Sequence, residues 1–380
     1  MKVLLTTPTY PPFNSGLGNA VHRQAVALAE RGYEVIVATG GAGRATREDA
    51  QGVRVEHFAV TGADYLRNPI RGDVESYQRF LATEHHDVMI MHAWQIWSTD
   101  IPLRDLPSIN ARKFVYSHCI STNMWLPYIP IRSLAFYLLW RPYWWALPKR
   151  MRQLDGVIFL ADQGDDTRFD DVRVARRVGV PIHVIPNSLP RSWPALADAE
   201  RAQIIAVGSY TRPKGFDFVL EAYARSSARN QLPLALFGQE PTPYLETLRA
   251  MAASLGIKPD MVSFRTGVAD AALLQEYAAA KIFLSGSYTE CQPLVLLDAM
   301  ATGTPFVARA TGCISRMPGG RAVWSPPEAS QEIDRLLEDS ESWKALSAEG
   351  RAAAQGAYAL DRNIELLIGV LEGRAGTVDR

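Results

Sequence analysis

The sequence predicts an α/β protein of two domains, each with a mainly parallel sheet covered by helices. The chain has 380 residues, which suits two domains of ordinary size. Hydrophobic residues make up 47% and charged residues 21%, a composition typical of a chain that buries a core. In both halves short apolar runs alternate with longer amphipathic segments, and this alternation is the pattern of parallel sheets.

The N-terminal half, residues 1–187, contains six apolar runs of strand length. After the first run, residues 18–31 repeat apolar side chains at helical spacing, and Gly32 ends that helix. Later runs are continuous rather than alternating, as expected for strands buried on both faces. The predicted strands are Lys2–Thr6, Glu34–Ala38, Asp87–Met91, Phe114–Ser117, Gly156–Leu160 and Ile182–Ile185.

Residues 188–202 are interrupted by proline and predict a linker between the domains. Residues 203–360 then repeat the strand and helix alternation as a second domain. The predicted strands are Gln203–Val207, Leu232–Phe237, Met261–Phe264, Lys281–Gly286 and one that starts at Phe306–Ala308. The predicted helices are Phe216–Arg225, Tyr244–Leu255, Ala271–Ala279, one with its apolar pattern between Glu290 and Asp298, and helices over 328–339, 341–354 and 361–372.

Charge and hydropathy exclude some classes of protein. Lys plus Arg and Asp plus Glu each number 40, and a zero net charge argues against a protein built mainly to bind nucleic acid. The apolar start of the chain is too short for a signal peptide. No apolar run reaches 18 residues, so we expect no membrane-spanning helix and a cytoplasmic protein.

The segment from Glu290 to Pro305 carries the clearest functional pattern. It places an acidic residue after a strand, and a helix with a second acidic residue, Asp298, follows. Open parallel sheets bind ligands at the carboxyl ends of their strands, and a helix N-terminus favours phosphate. Pro293 removes one N–H donor but is tolerated in a first helical turn, so Leu294 and Val295 remain as donors.

This segment resembles the signature of retaining glycosyltransferases of the GT-B fold, family GT4, whose pattern is Glu-x7-Glu. Here the second acid is Asp298, and Pro293 replaces the usual Gly. The resemblance implies that Glu290 faces the donor sugar and that Asp298 holds the ribose hydroxyls. It further implies an N-terminal acceptor domain, a C-terminal nucleotide-sugar domain, a cleft between their two sheets, and a final helix (361–380) that returns to the first domain.

A second match to the family lies in the segment that runs from Ala206 to Gly215. The family pattern Gly-Arg-Leu-x3-Lys-Gly supplies cations for the donor diphosphate, and Gly208 and Lys214 fall in register. Ser209 stands at the Arg position, so Arg212 is a candidate for the missing charge. The chain has no Asp-x-Asp motif, so we expect no metal and no cofactor. Lys214 and helix dipoles are then the natural compensation for a leaving diphosphate.

Several glycines and one arginine also fall at family positions. Gly16 and Gly18 open the first predicted helix, where the family has a Gly-rich loop that faces the donor phosphates and the acceptor. Because Val21 occupies the third glycine position of the dinucleotide fingerprint, an NAD-binding domain is disfavoured. Gly238 resembles a turn that lets the donor lie against the sheet, and Arg265 lies in the loop that the resemblance places beside the nucleobase.

Two histidines end consecutive predicted strands of the first half. His92 follows Asp87–Met91, and His118 follows Phe114–Ser117. The family carries a His near the transferred sugar at the second position, which implies a catalytic role for His118. We place His92, Trp94 and Asn187 on the acceptor side. The histidines show no metal-ligand spacing.

Residues 124–152 combine many Trp and Tyr residues with Arg and Lys. Such a mixture favours a membrane interface and anionic lipid. One hypothesis is that this segment docks the enzyme on a membrane, at its inner face, to reach a lipid-linked acceptor. The second hypothesis is an aromatic-rich helix packed within the first domain, and the third is an aromatic and basic face for single-stranded nucleic acid.

The pattern as a whole predicts a retaining, metal-independent transferase that moves a sugar, such as a hexose, from a nucleotide-diphosphate sugar to an acceptor hydroxyl. An α-linked product, in cell-envelope or exopolysaccharide assembly, is the expected outcome. Two alternatives stay open at this point: a GT-B sugar-nucleotide 2-epimerase, and an inactive nucleotide-sugar-binding or scaffold protein. The departures at Ser209 and Asp298 favour the second of these alternatives.

Overall fold

The computed structural model describes residues 1–13, 15–49, 51–120, 123, 125, 126, 128–191 and 200–374. The chain divides into two compact units. Unit 1 consists of Met1–Ser188 together with the C-terminal segment that begins at Leu360, and unit 2 consists of Leu189–Ala359. Each unit contains a sheet with parallel strands and helices, so the predicted α/β class is confirmed.

The described residues form the following elements. The strands are β1 Lys2–Thr6, β2 Glu34–Gly40, β3 Ala45–Glu48, β4 Arg54–Phe58, β5 Val60–Thr61, β6 Arg71–Gly72, β7 Val88–His92, β8 Arg112–Ser117, β9 Gly156–Phe159, β10 Ile182–Val184, β11 Gln203–Val207, β12 Leu234–Gly238, β13 Val262–Thr266, β14 Ala280–Ser285, β15 Phe306–Arg309 and β16 Gly320–Val323. The helices are α1 Gly16–Ala29, α2 Val74–Thr83, α3 Trp97–Asp100, α4 Pro130–Leu139, α5 Arg141–Met151, α6 Asp170–Val178, α7 Phe216–Arg225, α8 Pro243–Ser254, α9 Asp270–Ala278, α10 Leu294–Ala301, α11 Pro326–Glu338, α12 Ser340–Gln355 and α13 Leu360–Leu371.

The sheet of unit 1 has eight strands in the order β10-β9-β8-β7-β1-β2-β4-β3. All neighbours are parallel except the β3–β4 pair. From β1 the chain builds outward through β2 on one side, and from β7 it builds outward through β8 on the other. The order therefore reverses between β1 and β7, and open α/β sheets bind ligands at the strand carboxyl ends beside such a reversal.

The C-terminal helix α13 is part of unit 1 and packs against α1. Arg31, just after α1, pairs with Asp361 at 2.7 Å and Glu365 at 2.9 Å. Arg112 of β8 donates to the carbonyl of Leu371 at 2.7 Å. These contacts join α13 to α1 and β8 of unit 1.

The sheet of unit 2 has six parallel strands in the order β13-β12-β11-β14-β15-β16. The chain builds through β12 and β13 on one side of β11, then crosses to β14 on the other. The reversal lies between β11 and β14, so the loops after these two strands occupy the position where such sheets bind ligands. Buried aliphatic side chains such as Ile204, Leu236 and Ile282 fill the core on the helix-covered faces.

The chain enters and leaves unit 2 at one point. The backbone N–H of Leu189 donates to the carbonyl of Tyr358 at 2.9 Å, and both residues belong to unit 2. Of the predicted linker 188–202, residues 192–199 lie outside the described residues. Leu360, which the sequence placed at the end of the second domain, belongs to unit 1.

The first helix begins two residues earlier than predicted, at Gly16. Ser15 is its N-cap, and the Ser15 Oγ accepts from the Gly18 N–H at 2.9 Å, so the capping serine rather than the second glycine marks the start. Within the described residues no helix combines the length and the apolar character needed to cross a bilayer.

Candidate functional site

Lys214 and Glu290 meet at the reversal point of the unit 2 sheet. Lys214 ends a short 3₁₀ turn after β11, and Glu290 lies in the loop between β14 and α10. The Lys214 Nζ is 2.6 Å from the Glu290 Oε1. The two side chains that the sequence assigned to the leaving group and the donor sugar therefore neutralise each other in this structure.

Two glycines allow the loops that carry this pair to touch. Gly215 has φ +61° and forms the C-cap of the turn that holds Lys214. A Cβ on Gly215 would lie 1.9 Å from the Gly286 carbonyl oxygen, and one on Gly286 would lie 2.1 Å from the Gly215 carbonyl oxygen. Any side chain at either position would force the two backbones apart, so this contact sets the distance between the two loops.

Polar contacts fix the same two loops side by side. The backbone N–H of Tyr288 donates to the Pro213 carbonyl at 2.8 Å. The Ser287 Oγ lies 2.8 Å from the Glu290 Oε1 and 3.0 Å from the Pro213 carbonyl, so its single proton serves one of these two acceptors. Nothing in the sequence marks Ser287 for this role except its place three residues before Glu290.

Helix α10 begins directly after the Glu290 loop. Pro293 is its N-cap, so it does not occupy the first turn as predicted. The N–H groups of the first turn have no partner within a helix, so those of Leu294 and Val295 form a favourable place for an anion. Asp298 lies one turn further on the same helix and is half-buried. Burial, with a smaller contribution from Asp298, raises the pKa of Tyr277 well above its ordinary value.

The segment around Lys214 holds the other predicted phosphate-side residues. Gly208 lies against the stem of Lys214, since a Cβ on it would be 3.5 Å from the lysine Cγ, an ordinary contact. The Ser209 Oγ lies 3.1 Å from the Thr211 Oγ1, so the position that is Arg in the family holds a neutral hydroxyl. The Arg212 guanidinium lies 5.6 Å from the centre of the Tyr244 ring.

Gly238 and Arg265 have structural explanations of their own. A Cβ on Gly238 would lie 2.4 Å from the ring of buried Tyr210, whose hydroxyl donates to the Leu236 carbonyl at 2.8 Å. Packing within unit 2 therefore already requires this glycine. Arg265 of β13 forms a 2.6 Å ion pair with Glu276, so its charge already has a partner within unit 2.

The two predicted histidines of unit 1 form a stacked cluster with Tyr116. His92 is the last residue of β7, one residue later than the predicted strand end, and His118 follows β8. The His92 Nδ1 lies 3.3 Å from the His118 Nε2, and each ring lies 5.3 Å from that of Tyr116. Burial lowers the pKa of His118 to about 4, and burial together with His118 lowers that of His92 well below its ordinary range. Both imidazoles are therefore neutral at pH 7.

Gly16 and Gly18 lie inside the first turn of α1, not in a loop before it. A Cβ on Gly18 would lie 3.0 Å from the Thr9 carbonyl oxygen, so this glycine permits close packing of the helix on the preceding loop. Gly16 has open space around its Cα. Only Gly16 therefore leaves room for a close approach by a ligand.

Trp94 and Asn187, predicted on the acceptor side, are both buried. Trp94 is 3% exposed, and its indole N–H donates to the Asp171 carboxylate at 2.9 Å. Trp94 therefore packs within unit 1, and its polar atom is already used by the protein.

Residues 124–152 contain side chains packed within unit 1, as the second hypothesis predicted, and also exposed apolar side chains. Trp140, Tyr143, Leu147 and Met151 are buried in unit 1. On α4, however, Ile131, Leu134 and Leu138 are 86%, 51% and 57% exposed, and they follow one another at helical spacing. Trp125 and Trp145 of the same segment are also exposed, as are the basic residues Arg132, Lys149 and Arg152. Residues 124 and 127 lie outside the described residues.

No three His, Cys, Asp or Glu side chains among the described residues are grouped so that they could hold an ion.

Two protein-family models match the chain, one in each unit. Residues 15–125 match a family described as glycosyl transferase 4-like domain, and residues 201–339 match one described as glycosyl transferases group 1. The second match contains both Lys214 and Glu290.

Two curated relatives are about a quarter identical to the chain over the stretches that align. Mannosylfructose-phosphate synthase of Agrobacterium fabrum is 26% identical over 59% of this chain and 54% of its own length. Alpha-monoglucosyldiacylglycerol synthase of Streptococcus pneumoniae is 24% identical over 83% of this chain and 73% of its own length. The chain therefore spans about half of the first relative and about three quarters of the second.

Solved structures share the fold over nearly the whole chain. Sucrose-phosphate synthase from Thermosynechococcus elongatus has a TM-score of 0.73 with 18% identity and covers 98% of both chains. Anabaena HepE in complex with UDP has a TM-score of 0.70 with 16% identity and covers 98% of this chain and all of the other. With both family matches and this fold, the chain belongs to the group 1 glycosyltransferases, family GT4, and has the GT-B fold.

Proposed function

We propose that this glycosyltransferase moves a sugar, such as a hexose, from a nucleotide-diphosphate sugar to an acceptor hydroxyl with retention of the anomeric configuration. Unit 2 binds the donor, and unit 1 binds the acceptor. The observation that carries the proposal is the Lys214–Glu290 pair, which lies where the unit 2 sheet reverses and just before the N-terminus of α10.

Lys214 and the first turn of α10 stabilise the leaving diphosphate in this proposal. A departing diphosphate gains negative charge as the glycosidic bond breaks, and fixed positive groups at that point lower the barrier. In the structure the Lys214 charge is balanced by Glu290 at 2.6 Å. A diphosphate carries more charge than one carboxylate, so donor binding draws the ammonium toward phosphate and leaves Glu290 to orient the sugar.

The remaining predicted residues take supporting roles. Asp298 binds the ribose hydroxyls from the second turn of α10, and Arg212 supplies the charge that Ser209 lacks. His118, neutral because burial lowers its pKa to about 4, positions the transferred sugar by hydrogen bonding. The departing phosphate oxygen accepts the proton of the acceptor hydroxyl, so no protein nucleophile and no metal ion is needed.

The HepE structure contains UDP, which supports a nucleotide sugar as the donor. The acceptor class is open between soluble and lipid molecules, because one relative is named for a sugar phosphate product and another for a diacylglycerol product. The exposed stripe on α4, with basic residues beside it, favours a lipid-linked acceptor. We therefore propose that the protein works in cell-envelope or exopolysaccharide assembly, peripherally bound to the inner face of a membrane.

The first experiment combines donor binding with turnover. Thermal unfolding is measured with UDP-, GDP-, ADP- and dTDP-sugars, since a ligand at one hundred times its Kd adds about 2.7 kcal/mol of stability. The donor that raises Tm is then incubated with extracted lipids and with sugar phosphates, with and without EDTA. We expect released nucleotide and an α-glycoside in both conditions. An epimerised nucleotide sugar without acceptor, or binding without turnover, would contradict the proposal.

A matched variant assigns the activity to the site. Lys214→Ala is expected to lower kcat/KM by about two to three orders of magnitude, the size of effect seen when one stabilising group is removed from a site of developing charge. Lys258→Ala removes an exposed lysine elsewhere in unit 2 and is expected to leave kcat/KM unchanged. Normal turnover by the Lys214 variant would remove its role at the leaving group.

A further inference from the structure

Two loops at the carboxyl edge of the unit 1 sheet hold an unusual backbone. Among the described residues, positive φ outside glycine occurs at Ala93 (66°), Gln95 (64°) and Cys119 (70°). The first two directly follow β7, and the third follows β8, the neighbouring strand. A residue with a Cβ in this conformation costs about 1–2 kcal/mol, so the surrounding structure must hold these loops in place.

One buried carboxylate joins the two strained loops. Asp171, in the first turn of α6, is fully buried, and its Oδ2 accepts from the Trp94 indole N–H at 2.9 Å and from the Ser117 Oγ at 2.5 Å. Trp94 lies between two of the strained residues. The Ser117 Oγ accepts in turn from the backbone N–H of Cys119 at 3.1 Å, so the carboxylate reaches all three strained positions through these two neighbours.

A second buried carboxylate supports the same loop from another side. The Asp100 Oδ1 accepts from the Tyr143 hydroxyl at 2.9 Å, and that hydroxyl accepts from the Gln95 N–H at 3.2 Å. The two loops are also joined directly, because the Ala93 N–H donates to the Tyr116 carbonyl at 2.9 Å. Asp171 differs from Asp100 because it contacts both loops at once.

The loops carry the histidine cluster. His92 immediately precedes Ala93, and His118 lies between Ser117 and Cys119. The 3.3 Å separation of the His92 Nδ1 and the His118 Nε2 therefore depends on the relative position of two strained segments. Burial raises the pKa of Asp171 to about 6, yet the carboxyl is kept in a position where two polar donors converge on one oxygen.

We propose that Asp171 is a positioning residue that ties the loop after β7 to the loop after β8 and so holds the His92–His118 pair in its geometry. The effect on sugar transfer rests on the proposed role of His118. The effect on the loops and on the two imidazoles does not depend on that role, because the loops and the imidazoles have this geometry without substrate.

The test uses Asp171→Ala and the isosteric Asp171→Asn in the full chain. Glu56→Gln is the matched control, because Glu56 is also a buried carboxylate of unit 1, 4% exposed. It lies in β4, three strands from β7 in the sheet, and accepts from the Thr46 Oγ1 at 2.8 Å. Trp94→Phe removes a single donor to Asp171 and keeps an aromatic ring. Hydrogen exchange, 15N spectra of the seven histidines and transfer kinetics are measured on each variant.

In Asp171→Ala we expect faster exchange in residues 92–96 and 117–120, shifted His92 and His118 signals, and a fall in acceptor kcat/KM of about 10- to 100-fold, as for a small displacement of a reacting group. Asp171→Asn and Trp94→Phe should show part of each effect, with nucleotide affinity unchanged.

Unchanged histidine signals and loop exchange in both Asp171 variants, or changes no larger than in Glu56→Gln, would overturn the proposal. If instead these signals move while transfer is normal, Asp171 positions the loops and the proposed role of His118 is wrong.

Discussion

The Lys214 ammonium and the Glu290 carboxylate lie 2.6 Å apart, so the two groups assigned to the donor bind each other in this structure. The carboxylate therefore competes with a diphosphate for the lysine. We predict that Glu290→Gln binds the nucleotide diphosphate more tightly while it transfers sugar more slowly. A partly exposed ion pair contributes about 1 kcal/mol, which is roughly a fivefold change in Kd.

Calorimetry measures the affinity of Glu290→Gln for the nucleotide diphosphate, and initial rates measure its sugar transfer. Glu332→Gln is the control, because it removes a carboxylate that pairs with Arg335 at 3.2 Å elsewhere in unit 2. A weaker nucleotide affinity in Glu290→Gln would show that Lys214 does not move from the carboxylate to the phosphate.

The contact between Gly215 and Gly286 predicts an unusual sensitivity to alanine. Gly215→Ala places a Cβ in the left-handed region and 1.9 Å from a carbonyl oxygen. Gly267→Ala has the same backbone penalty at φ +67° but no atom within 4 Å, so it measures the penalty alone. We expect Gly215→Ala to cost about 1–3 kcal/mol more than Gly267→Ala in urea unfolding and to weaken nucleotide binding. Equal losses in the two variants would mean that the loops separate without consequence.

The proposed ribose contact of Asp298 predicts a dependence on the sugar of the nucleotide. Wild-type protein should prefer a nucleotide diphosphate over its 2′-deoxy form by about tenfold or more, since a hydrogen bond to a charged group contributes about 1.5–3 kcal/mol. Asp298→Ala should lose this preference, whereas Asp270→Ala, which removes an exposed carboxylate at the start of α9, should keep it. Competition binding with both nucleotides decides the result, and a preference that survives in Asp298→Ala would contradict the assignment.

Unit 1 contains buried groups whose pKa shifts oppose each other in acid. The pKa of His118 is lowered from 6.5 to about 4 in the folded chain. Between these two pH values the unfolded chain binds a proton that the folded chain does not, so stability falls as pH falls. The pKa values of Asp100 and Asp171 are raised from 3.8 to about 6 in the folded chain. Below pH 6 the folded chain therefore binds protons that the unfolded chain does not, and this contribution to stability rises as pH falls. Between pH 6 and pH 4 the two effects offset each other.

Because the two pH dependences have opposite directions, replacing either kind of group should change the stability at pH 5 in a predictable direction. His118→Gln removes the destabilising effect and should gain up to roughly 2 kcal/mol of stability at pH 5 relative to its value at pH 7, beyond any gain of the wild type. Asp171→Asn lacks the stability that the wild-type carboxyl gains below pH 6, so its change in stability from pH 7 to pH 5 should be less favourable than that of wild type. Urea unfolding at both pH values checks the signs, and parallel pH profiles for wild type and variants would exclude these groups as the source.

The exposed stripe on α4 predicts binding to anionic vesicles. Replacing Ile131, Leu134 and Leu138 by Ser should lower the partition coefficient by about tenfold or more, given the apolar area involved. Leu366→Ser, at a partly exposed position of α13, is the control. Flotation with vesicles of neutral and anionic lipid, at low and high salt, separates the apolar from the charge contribution. Equal flotation of the triple variant and wild type would place the membrane contact elsewhere or remove it.

Apolar periodicity predicted the elements that lie in the two cores, because burial on both faces leaves a continuous run of apolar residues. Gln203–Val207 and Phe216–Arg225 were predicted with the observed bounds. The edge strand β3 and its neighbour β4 were missed, since charged side chains such as Arg47 and Glu56 interrupt their apolar pattern. Helix α6 was missed because its charged residues outnumber its apolar ones.

The candidate site was predicted in its residues but not in its contacts. Spacing placed Lys214 and Glu290 after two strands, yet nothing in the sequence indicated that these strands, β11 and β14, are neighbours in the sheet. Gly238 shows that a match to a family position does not by itself indicate a ligand contact. The resemblance assigned this glycine to the donor, but the ring of Tyr210 leaves no room for a side chain there. The buried carboxylate of Asp171 gave no signal, since its partners are far away in the chain.

The hydrogen bond between Leu189 and Tyr358 makes unit 2 an insertion whose two ends are adjacent. Adjacent ends are the condition under which a folded segment can be replaced without disturbing its host. The donor-side candidates Lys214, Glu290 and Asp298 all lie within this insertion, and the histidine cluster lies outside it. Residues 189–359 thus form an exchangeable segment, and under the proposed assignment of the donor to unit 2 and the acceptor to unit 1, exchanging it with that of a relative is expected to change the donor while the acceptor stays the same.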